Sequence, residues 1–529
     1  MGNTTRPSAS SDTHAVAYHP TDVGFAARHI REPLHVIRDR STGQRGVARQ
    51  VPADADHLGT FPPIYPEWLG DRGFLDAHNL HFPYVAGAMA NGIATTDLVV
   101  AMAKNGMLGF FGAAGLDTAR ISEALDRLEG ALHGTGLSYG SNLIHSPNEP
   151  DAELATVQLY LKRGVRRVSA SAYMQLTPMV VQYAFTGIYE DATGAVVRPN
   201  HLFAKISRPE VAERFLSPPP RSMLDALVAA GRLTVDEVRL ASRLPVAEDI
   251  IVESDSGGHT DNQTLGALFP SILEVRDRLV EKYNYTRPIR LGAAGGIGTP
   301  SAAAAAFMLG AAFIVTGSVN QASVEAGLSD AGKAMLADTD LADVVMAPAA
   351  DMFELGVKVQ VLSRGTLFGV RAHQLYDIYV RNSGLDTLPE GVRDQLETKV
   401  FKRPLDDVWE DTERFFAQRD PSEVDRANAD PKHKMALVFR WYLGLSSRWA
   451  IDGNAPRRID YQIWCGPAMG AFNRWVKGSF LEPLDARHAA QIARNLLEGA
   501  AVATRAQAMR TAGVLVPQSA FNPSPKPFV

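Results

Sequence analysis

The sequence predicts an α/β fold, a (β/α)8 TIM barrel with a large all-helical domain inserted after its eighth strand. Three observations lead there. Between residues 83 and 317, eight short apolar runs alternate with helical patterns, the rhythm and size of such a barrel. Glycine, lysine, asparagine and histidine signals gather at the C-terminal ends of those runs, the rim on which barrels assemble chemistry. Beyond residue 318 the alternation stops and long amphipathic patterns take over. An open doubly wound sheet shares the alternation, so it is the placing of the polar signals that favours the barrel.

The predicted strands, in order, are 83–89, 107–111, 137–143, 165–170, 201–207, 250–253, 288–293 and 312–316. Helical patterns occupy 94–105, 117–132, 150–162, 209–243, 265–283 and 300–309 between and after them. Later stretches 366–382, 389–401, 405–418 and 433–449 read as amphipathic helices, with no convincing strand among them. The last sets Met435, Leu437, Val438, Trp441, Tyr442 and Leu445 on one apolar face, as a packed helix requires. The chain therefore divides into a flexible or extended N-terminal segment (1–60), a barrel (61–320), a helical substrate or lid domain (321–480), a helix returning to the barrel (481–512) and an extended, proline-rich tail (513–529).

Composition excludes several classes. Hydrophobic residues make up 46% and charged residues 21% of the chain, as in a globular protein. With 53 basic and 58 acidic residues the net charge is −5, and no nucleic-acid footprint is visible. The single cysteine, Cys465, leaves no internal disulfide and no cysteine-built zinc or iron–sulfur site, and fits a reducing compartment. It reads as a small packed residue. Residues 1–11 lack a signal-type apolar core and no run of about 18 apolar residues occurs, so a cytoplasmic protein without a membrane span is expected. Metal-ligand spacings are missing as well: there is no HExxH, no paired CxxC and no EF-hand loop.

Two glycine loops carry the strongest signal. In 290–300 a strand empties into Gly295 and Gly296, Thr299 is placed to cap a helix, and Pro300 suits its first turn. Bare amides at such a turn hold anions. The next strand ends in Thr316, Gly317 and Ser318, and in barrels phosphate commonly binds after strands seven and eight. A Rossmann site fits less well. The third small residue is missing from Gly296-Ile-Gly298-Thr-Pro-Ser301, and no acidic residue follows about 20 positions on.

The reactive groups lie upstream. His259, one of 14 histidines, follows a buried strand and the pair Gly257 and Gly258, where a group titrating near neutrality suits acid–base work. Lys205 sits inside the apolar run Leu202-Phe-Ala-Lys-Ile206, so it needs solvent or an anionic partner. Asn142 offers a donor and an acceptor near the end of the third strand. Gly136-Leu-Ser138-Tyr-Gly140 matches the nucleophile-elbow pattern, but Ser138 starts a strand and no helix follows it, so the hydrolase chemistry of that turn is rejected.

Several phrases resemble the nitronate monooxygenase/enoyl reductase superfamily of FMN barrels: Ala86-Gly-Ala-Met-Ala90, Gly140-Ser-Asn142, Phe203-Ala-Lys205, Gly257-Gly-His259, Gly295-Gly-Ile-Gly298 and Thr316-Gly-Ser318. A closer resemblance is to the PfaD family, trans-acting enoyl reductases of polyketide and polyunsaturated fatty-acid synthases. It rests on Glu253-Ser-Asp-Ser-Gly-Gly-His-Thr260, Ala347-Pro-Ala-Ala-Asp-Met-Phe-Glu-Leu-Gly356 and Tyr461-Gln-Ile-Trp-Cys-Gly-Pro-Ala-Met-Gly470, and covers roughly residues 60–512, the insert included. The resemblance implies FMN at the rim. Ala88 and Met89 would contact the flavin ring, Asn142 and Lys205 its polar edge, and Gly295, Gly296, Gly317 and Ser318 its phosphate. His259 would be the active-site histidine, and Gly257 and Gly258 beside it would join the residues that bind the cofactor.

The implied reaction passes hydride from NADPH, by way of the flavin, to a 2-enoyl thioester on an acyl carrier protein. His259 would serve as proton source or donor, and Lys205 would steady negative charge. A homodimer is compatible with this reading. The insert would shape an acyl pocket and a docking face, with Lys399, Lys402 and Arg403 as basic groups for an acidic carrier domain. Alternatives on the same barrel are a nitronate monooxygenase-type FMN oxidase and a non-catalytic flavin- or acyl-binding synthase partner.

Overall fold

The computed structural model describes residues 16–145 and 150–528. Its centre is a closed barrel of eight parallel strands: Tyr84–Ala86, Leu108–Phe111, Gly140–Ile144, Arg167–Ser171, His201–Ile206, Asp249–Glu253, Arg290–Ala294 and Phe313–Thr316. Each strand pairs with its successor, and the eighth closes on the first through Ile314 and Tyr84. The boundaries differ from those predicted by up to three residues, because the rim loops begin where ladder pairing stops and not where apolar character does.

Strand alternation sorts the side chains. Phe110, Phe203, Ile251, Phe313 and Val315 fill the barrel interior as one apolar cluster. Two glycines make room for the rings. A Cβ on Gly140 would strike the Phe110 ring, and one on Gly292 would strike Phe313. The same parity puts His201, Asp249 and Arg290 inside at the N-terminal mouth, and Lys205 and Glu253 inside at the C-terminal one. Below the aromatic layer the helix Arg72–His78 plugs the barrel. Its Phe74 ring stacks on Phe313 at 4.1 Å between centroids.

The plug ends in a buried charged network. His78 Nε2 donates to Asp249 at 3.0 Å, and Arg290 reaches the two oxygens of that carboxylate at 2.6 and 2.8 Å. Burial pushes the Asp249 carboxyl up, but His78 and Arg290 outweigh it and hold it well below the usual carboxylate range. The ligand atoms of His78, His201 and Asp249 lie within 4.8 Å of one another. Asp249 is nevertheless saturated by protein donors, and Arg167 flanks His78 at 3.3 Å. The cluster reads as a structural floor. Ser138 joins it, donating its hydroxyl proton to the His78 carbonyl while buried, so it is no nucleophile elbow.

Two expectations need correction. Residues 16–60 are not a flexible or extended segment. Leu34–Asp39, Arg45–Ala48 and Ala55–Phe61 form an antiparallel sheet with Leu34–Asp39 in the middle. It packs with the helix Pro20–Ala27 against the helix Ala489–Thr511. Arg505 of that helix, buried, donates to the carbonyls of His29, Glu32 and Pro62. Residues 1–15 lie outside the described residues.

Nor is the insert all-helical. Alongside its helices, of which Pro431–Asp452 is the longest, it holds a hairpin of Val344–Pro348 and Lys358–Leu362. Trp441 and Trp449 meet edge to face within its helical part, 5.9 Å apart, as packing residues. Ala489–Thr511 then lies along the barrel helix Pro300–Met308, with Gly499 closely approached by Pro300.

Acid should unlock the floor. Burial, and next the charge of His78, push the His201 imidazole down to about 3, below its unfolded value of about 6.5. A depressed value means the unfolded chain takes the proton first, so this stabilisation is present above about pH 6.5 and drains as pH falls towards about 3. Thermal scans across that range should show a falling Tm, with a shallower slope in His201→Asn.

Candidate active site

Polar groups inside the barrel's C-terminal mouth come from four neighbouring strands. Asn142 is buried, with its Nδ2 donating to the Ser169 carbonyl and to Ser171 Oγ, each at 2.9 Å. Its Oδ1 is left as an acceptor. Lys205 Nζ meets Glu253 Oε1 at 2.7 Å, both side chains mostly buried, and Ser256 Oγ donates to the same oxygen at 3.0 Å. Lys205 is therefore an interior lysine with its counter-ion supplied by the next strand. Glu253 was not singled out from the sequence. The signal was available, because Asp249, Ile251 and Glu253 share one face of a strand whose Ile251 is the register partner of Lys205.

The two glycine loops stand side by side at the ends of the paired seventh and eighth strands. Gly295 and Gly296 both adopt left-handed backbone, φ +87° and +69°, which costs other residues strain. A Cβ on Gly295 would press on Ser254 and Asp255, whereas Gly296 and Gly317 face open space, with nothing within 4 Å of that position. Their N–H groups find no acceptor among the described residues. Bare amides before an open space form a cradle for an anion. Ser318 Oγ accepts from the Gly466 N–H at 3.1 Å and keeps its own proton to donate.

Ala88 and Met89 lie on the loop after the first strand. The Met89 carbonyl accepts from Ala94 N–H at 3.1 Å. Gly112 passes so close beneath that any Cβ would strike this carbonyl. The loop is held by backbone contacts and not by its own sequence.

His259 is placed differently from the rest. With Gly258 it forms a two-residue strand that pairs antiparallel with the insert, Gly258 opposite Gln360 and His259 opposite Val359. Gln360, buried, donates from Nε2 to Asp255 Oδ1 and to the Ser256 carbonyl, both at 2.7 Å. His259 Nε2 lies 3.2 Å from Asp351 Oδ1 in the hairpin turn. Burial pushes the Asp351 carboxyl up, but the hydrogen bond and charge of His259 outweigh it and leave the group below its ordinary range. Gln360 carries no local sequence signal, and Asp351 is marked only by its place in the phrase Ala347–Gly356, with no hint of its partner, since each lies about a hundred residues from the loop it serves.

Gly257 serves the insert. A Cβ there would sit 2.7 to 3.0 Å from the backbone of Cys465, and Gly466 packs against Gly257 in return. Cys465 itself is buried, and burial pushes its thiol up to about 12, which suits packing and not nucleophilic chemistry. Two of the three basic groups expected on a docking face are engaged internally. Lys402 pairs with Asp460 at 3.4 Å and Arg403 with Asp411 at 2.6 Å.

Comparison with known proteins fits this arrangement. A family model described as the inserted helical domain of [acyl-carrier-protein] S-malonyltransferase matches residues 382–461. The chain is 43% identical over 485 residues to a polyunsaturated fatty acid synthase protein of Thraustochytrium sp., covering 90% of this chain and 32% of that one. It is 44% identical over 473 residues to polyketide biosynthesis protein PksE of Bacillus subtilis, covering 89% and 61%. It thus spans about a third of the first relative and less than two thirds of the second. A mutant form of FabK from Thermotoga maritima, 16% identical with a TM-score of 0.50, shares the fold across 83% of this chain and 99% of that one. The enoyl reductase domain of MlnA from the macrolactin cluster of Bacillus amyloliquefaciens superposes with a TM-score of 0.80 at 40% identity, over 84% of this chain and 99% of that domain. With barrel, rim and insert matched across that whole domain, the chain belongs to the PfaD family of trans-acting enoyl reductases.

Proposed function

We propose that this chain is an FMN-dependent enoyl reductase. It would use NADPH to reduce the 2,3-double bond of enoyl thioesters on an acyl carrier protein in polyketide or polyunsaturated fatty-acid synthesis. The observation that carries the reading is the anion cradle at Gly296 and Gly317, set beside the polar interior mouth in a chain 40% identical to an enoyl reductase domain. The residues fit FMN by their chemistry. An anionic phosphate suits open amides, and a flavin's polar edge suits an acceptor and a cation. Bound FMN supplies the two-electron relay between nicotinamide and alkene.

The chain's own part is to bind, orient and move one proton. Gly296 and Gly317 N–H groups and the Ser318 hydroxyl would hold the phosphate, with Gly295 shaping the turn. Asn142 Oδ1 would accept from a ring N–H, and Lys205 would offer its charge to the ring's electron-rich edge. Glu253 keeps that ammonium at the mouth and tempers its charge. Ala88 and Met89 present backbone to the ring. His259 donates to the enoyl group as negative charge develops there. The match of residues 382–461 to the helical insert of an enzyme named for the acyl carrier protein supports a carrier-bound substrate.

Gly317 tests the cradle. An aspartate there caps the following helix well and has room, yet puts a carboxylate where phosphate would lie. Gly317→Asp should weaken FMN binding about 100-fold, or about 2.7 kcal/mol, in a fluorescence titration, while Gly317→Ala stays within a few-fold of wild type.

The decisive experiment is an absorption spectrum of the purified protein followed through a turnover. A flavin spectrum bleached by NADPH and restored by an enoyl-carrier substrate is expected. Fast oxygen uptake with alkyl nitronates, and little NADPH oxidation, would instead mark a nitronate oxidase. His259→Ala should keep FMN and NADPH bleaching but lose about 10²- to 10⁴-fold in enoyl reduction; full reduction by this variant would remove His259 from the reaction.

A further inference from the structure

His259 reaches the rim on a strand that, among the described residues, pairs in its sheet with the insert strand Lys358–Leu362 alone. The connection between Val344–Pro348 and Lys358–Leu362 then returns over the same histidine and presents Asp351 to it, Oδ1 3.2 Å from Nε2. The register matters. Val359, opposite His259, is buried and pairs across the hairpin with Ala347, itself fully buried, so the turn that bears Asp351 is tethered at both ends. Behind it the 3-10 turn Phe353–Leu355 anchors buried Phe353 against Tyr379 and Phe439, and Glu354 pairs with Arg440 at 3.3 Å. Asp351 is held towards the histidine by a packed unit.

A carboxylate only accepts hydrogen bonds, so a bond between Asp351 Oδ1 and His259 Nε2 requires a proton on Nε2. That fixes the tautomer. Nδ1 makes no hydrogen bond among the described residues and the side chain is about one-third exposed, so this second nitrogen is the one without a protein partner. We infer that Asp351 is a positioning residue of the barrel's active site: it accepts a hydrogen bond from the Nε2–H of His259 and leaves Nδ1 as the atom from which a proton reaches the enoyl substrate. This rests on the enoyl reductase reading and names which atom and which insert residue serve it.

The step balances. A hydride arriving at the β-carbon brings an electron pair and forms the new C–H bond there. The π pair of the alkene moves to the α-carbon and bonds the proton leaving Nδ1. The imidazolium becomes a neutral imidazole still bonded through Nε2–H to Asp351, and solvent returns the lost proton. The product has gained one hydride and one proton, and Asp351 keeps its charge throughout. Orientation of this kind is the task of the third member in nucleophile–base–orienter constellations.

Three variants of the full-length holoenzyme test the assignment: Asp351→Ala, Asp351→Asn and Asp351→Glu. The side chain is half-exposed on a turn, so folding should survive. FMN content and the rate of flavin bleaching by NADPH should match wild type in all three. Reoxidation by an enoyl-carrier substrate should slow about 10- to 100-fold in the Ala and Asn variants, with KM for that substrate unchanged, and recover at least partly with Glu. Independently of turnover, ¹⁵N-histidine NMR should place the neutral-ring proton of His259 on Nε2 in wild type. It should show a tautomer mixture in Asp351→Ala, and a shift towards Nδ1–H in Asp351→Asn, whose amide can donate to Nε2. Wild-type reoxidation rates in Asp351→Ala, or an unchanged tautomer, would overturn the proposal. Failure of the enoyl reductase reading looks different: wild-type protein would then not be reoxidised by the enoyl substrate, while the NMR signature would still report on the Asp351 contact.

Discussion

The arrangement turns on a backbone-to-backbone contact between the loop after the sixth strand and the far end of the insert. Gly257 and Gly466 face each other so closely that a side chain on either would collide with main chain. Around this contact Gly258 and His259 extend the insert's hairpin into a three-stranded sheet, and Gln360 ties down the loop through Asp255 and Ser256. Gly466 N–H also donates to Ser318 at the eighth strand. One segment of the insert thus touches both the histidine loop and the anion cradle. The insert is a structural part of the rim, and the barrel alone would leave His259 on an unsupported loop.

A second constraint runs along the barrel axis. The interior alternates from a charged floor, through an aromatic middle, to a polar mouth. The floor is closed because Asp249 is saturated by His78 and Arg290; the middle is closed because Gly140 and Gly292 let Phe110 and Phe313 fill it. The mouth has groups with capacity left over, namely Asn142 Oδ1, the Lys205–Glu253 pair and, with no acceptor among the described residues, the amides of Gly296 and Gly317. Binding capacity is gathered at one end because the buried carboxylate at the other is met by His78 and Arg290.

The barrel was legible because strand and helix periods differ and because its loops are short in sequence. The glycine pairs could be ranked by position at strand ends, whereas the apolar run around Lys205 asked only for solvent or an anionic partner, and strand register supplies Glu253. What stayed hidden depends on long-range partners. Leu34–Asp39 falls in a segment expected to be flexible or extended, and its burial is provided by a helix some 450 residues later. Val344–Pro348 and Lys358–Leu362 are short and flanked by glycine and proline, so helical patterns on both sides masked them. Gly257 was assigned to a cofactor because glycine next to histidine suggests ligand approach; the same freedom from Cβ serves close packing against Cys465 equally well. Lys402 and Arg403 looked like free surface charges until Asp460 and Asp411 were placed beside them.

Building the histidine's surroundings from a separate part of the chain has a physical consequence. A side chain on a long rim loop fluctuates, and a proton donor that wanders by an ångström loses much of its advantage. Two-residue strand pairing with Gln360 and Val359 limits the His259 backbone, while the Asp351 contact limits its ring. These restraints come from one hairpin whose core, through Val361 and Phe353, is continuous with the helices beneath it. The restraint on this single imidazole is therefore drawn from the packing of the insert, so the placing of His259 at the rim depends on residues that follow the eighth strand.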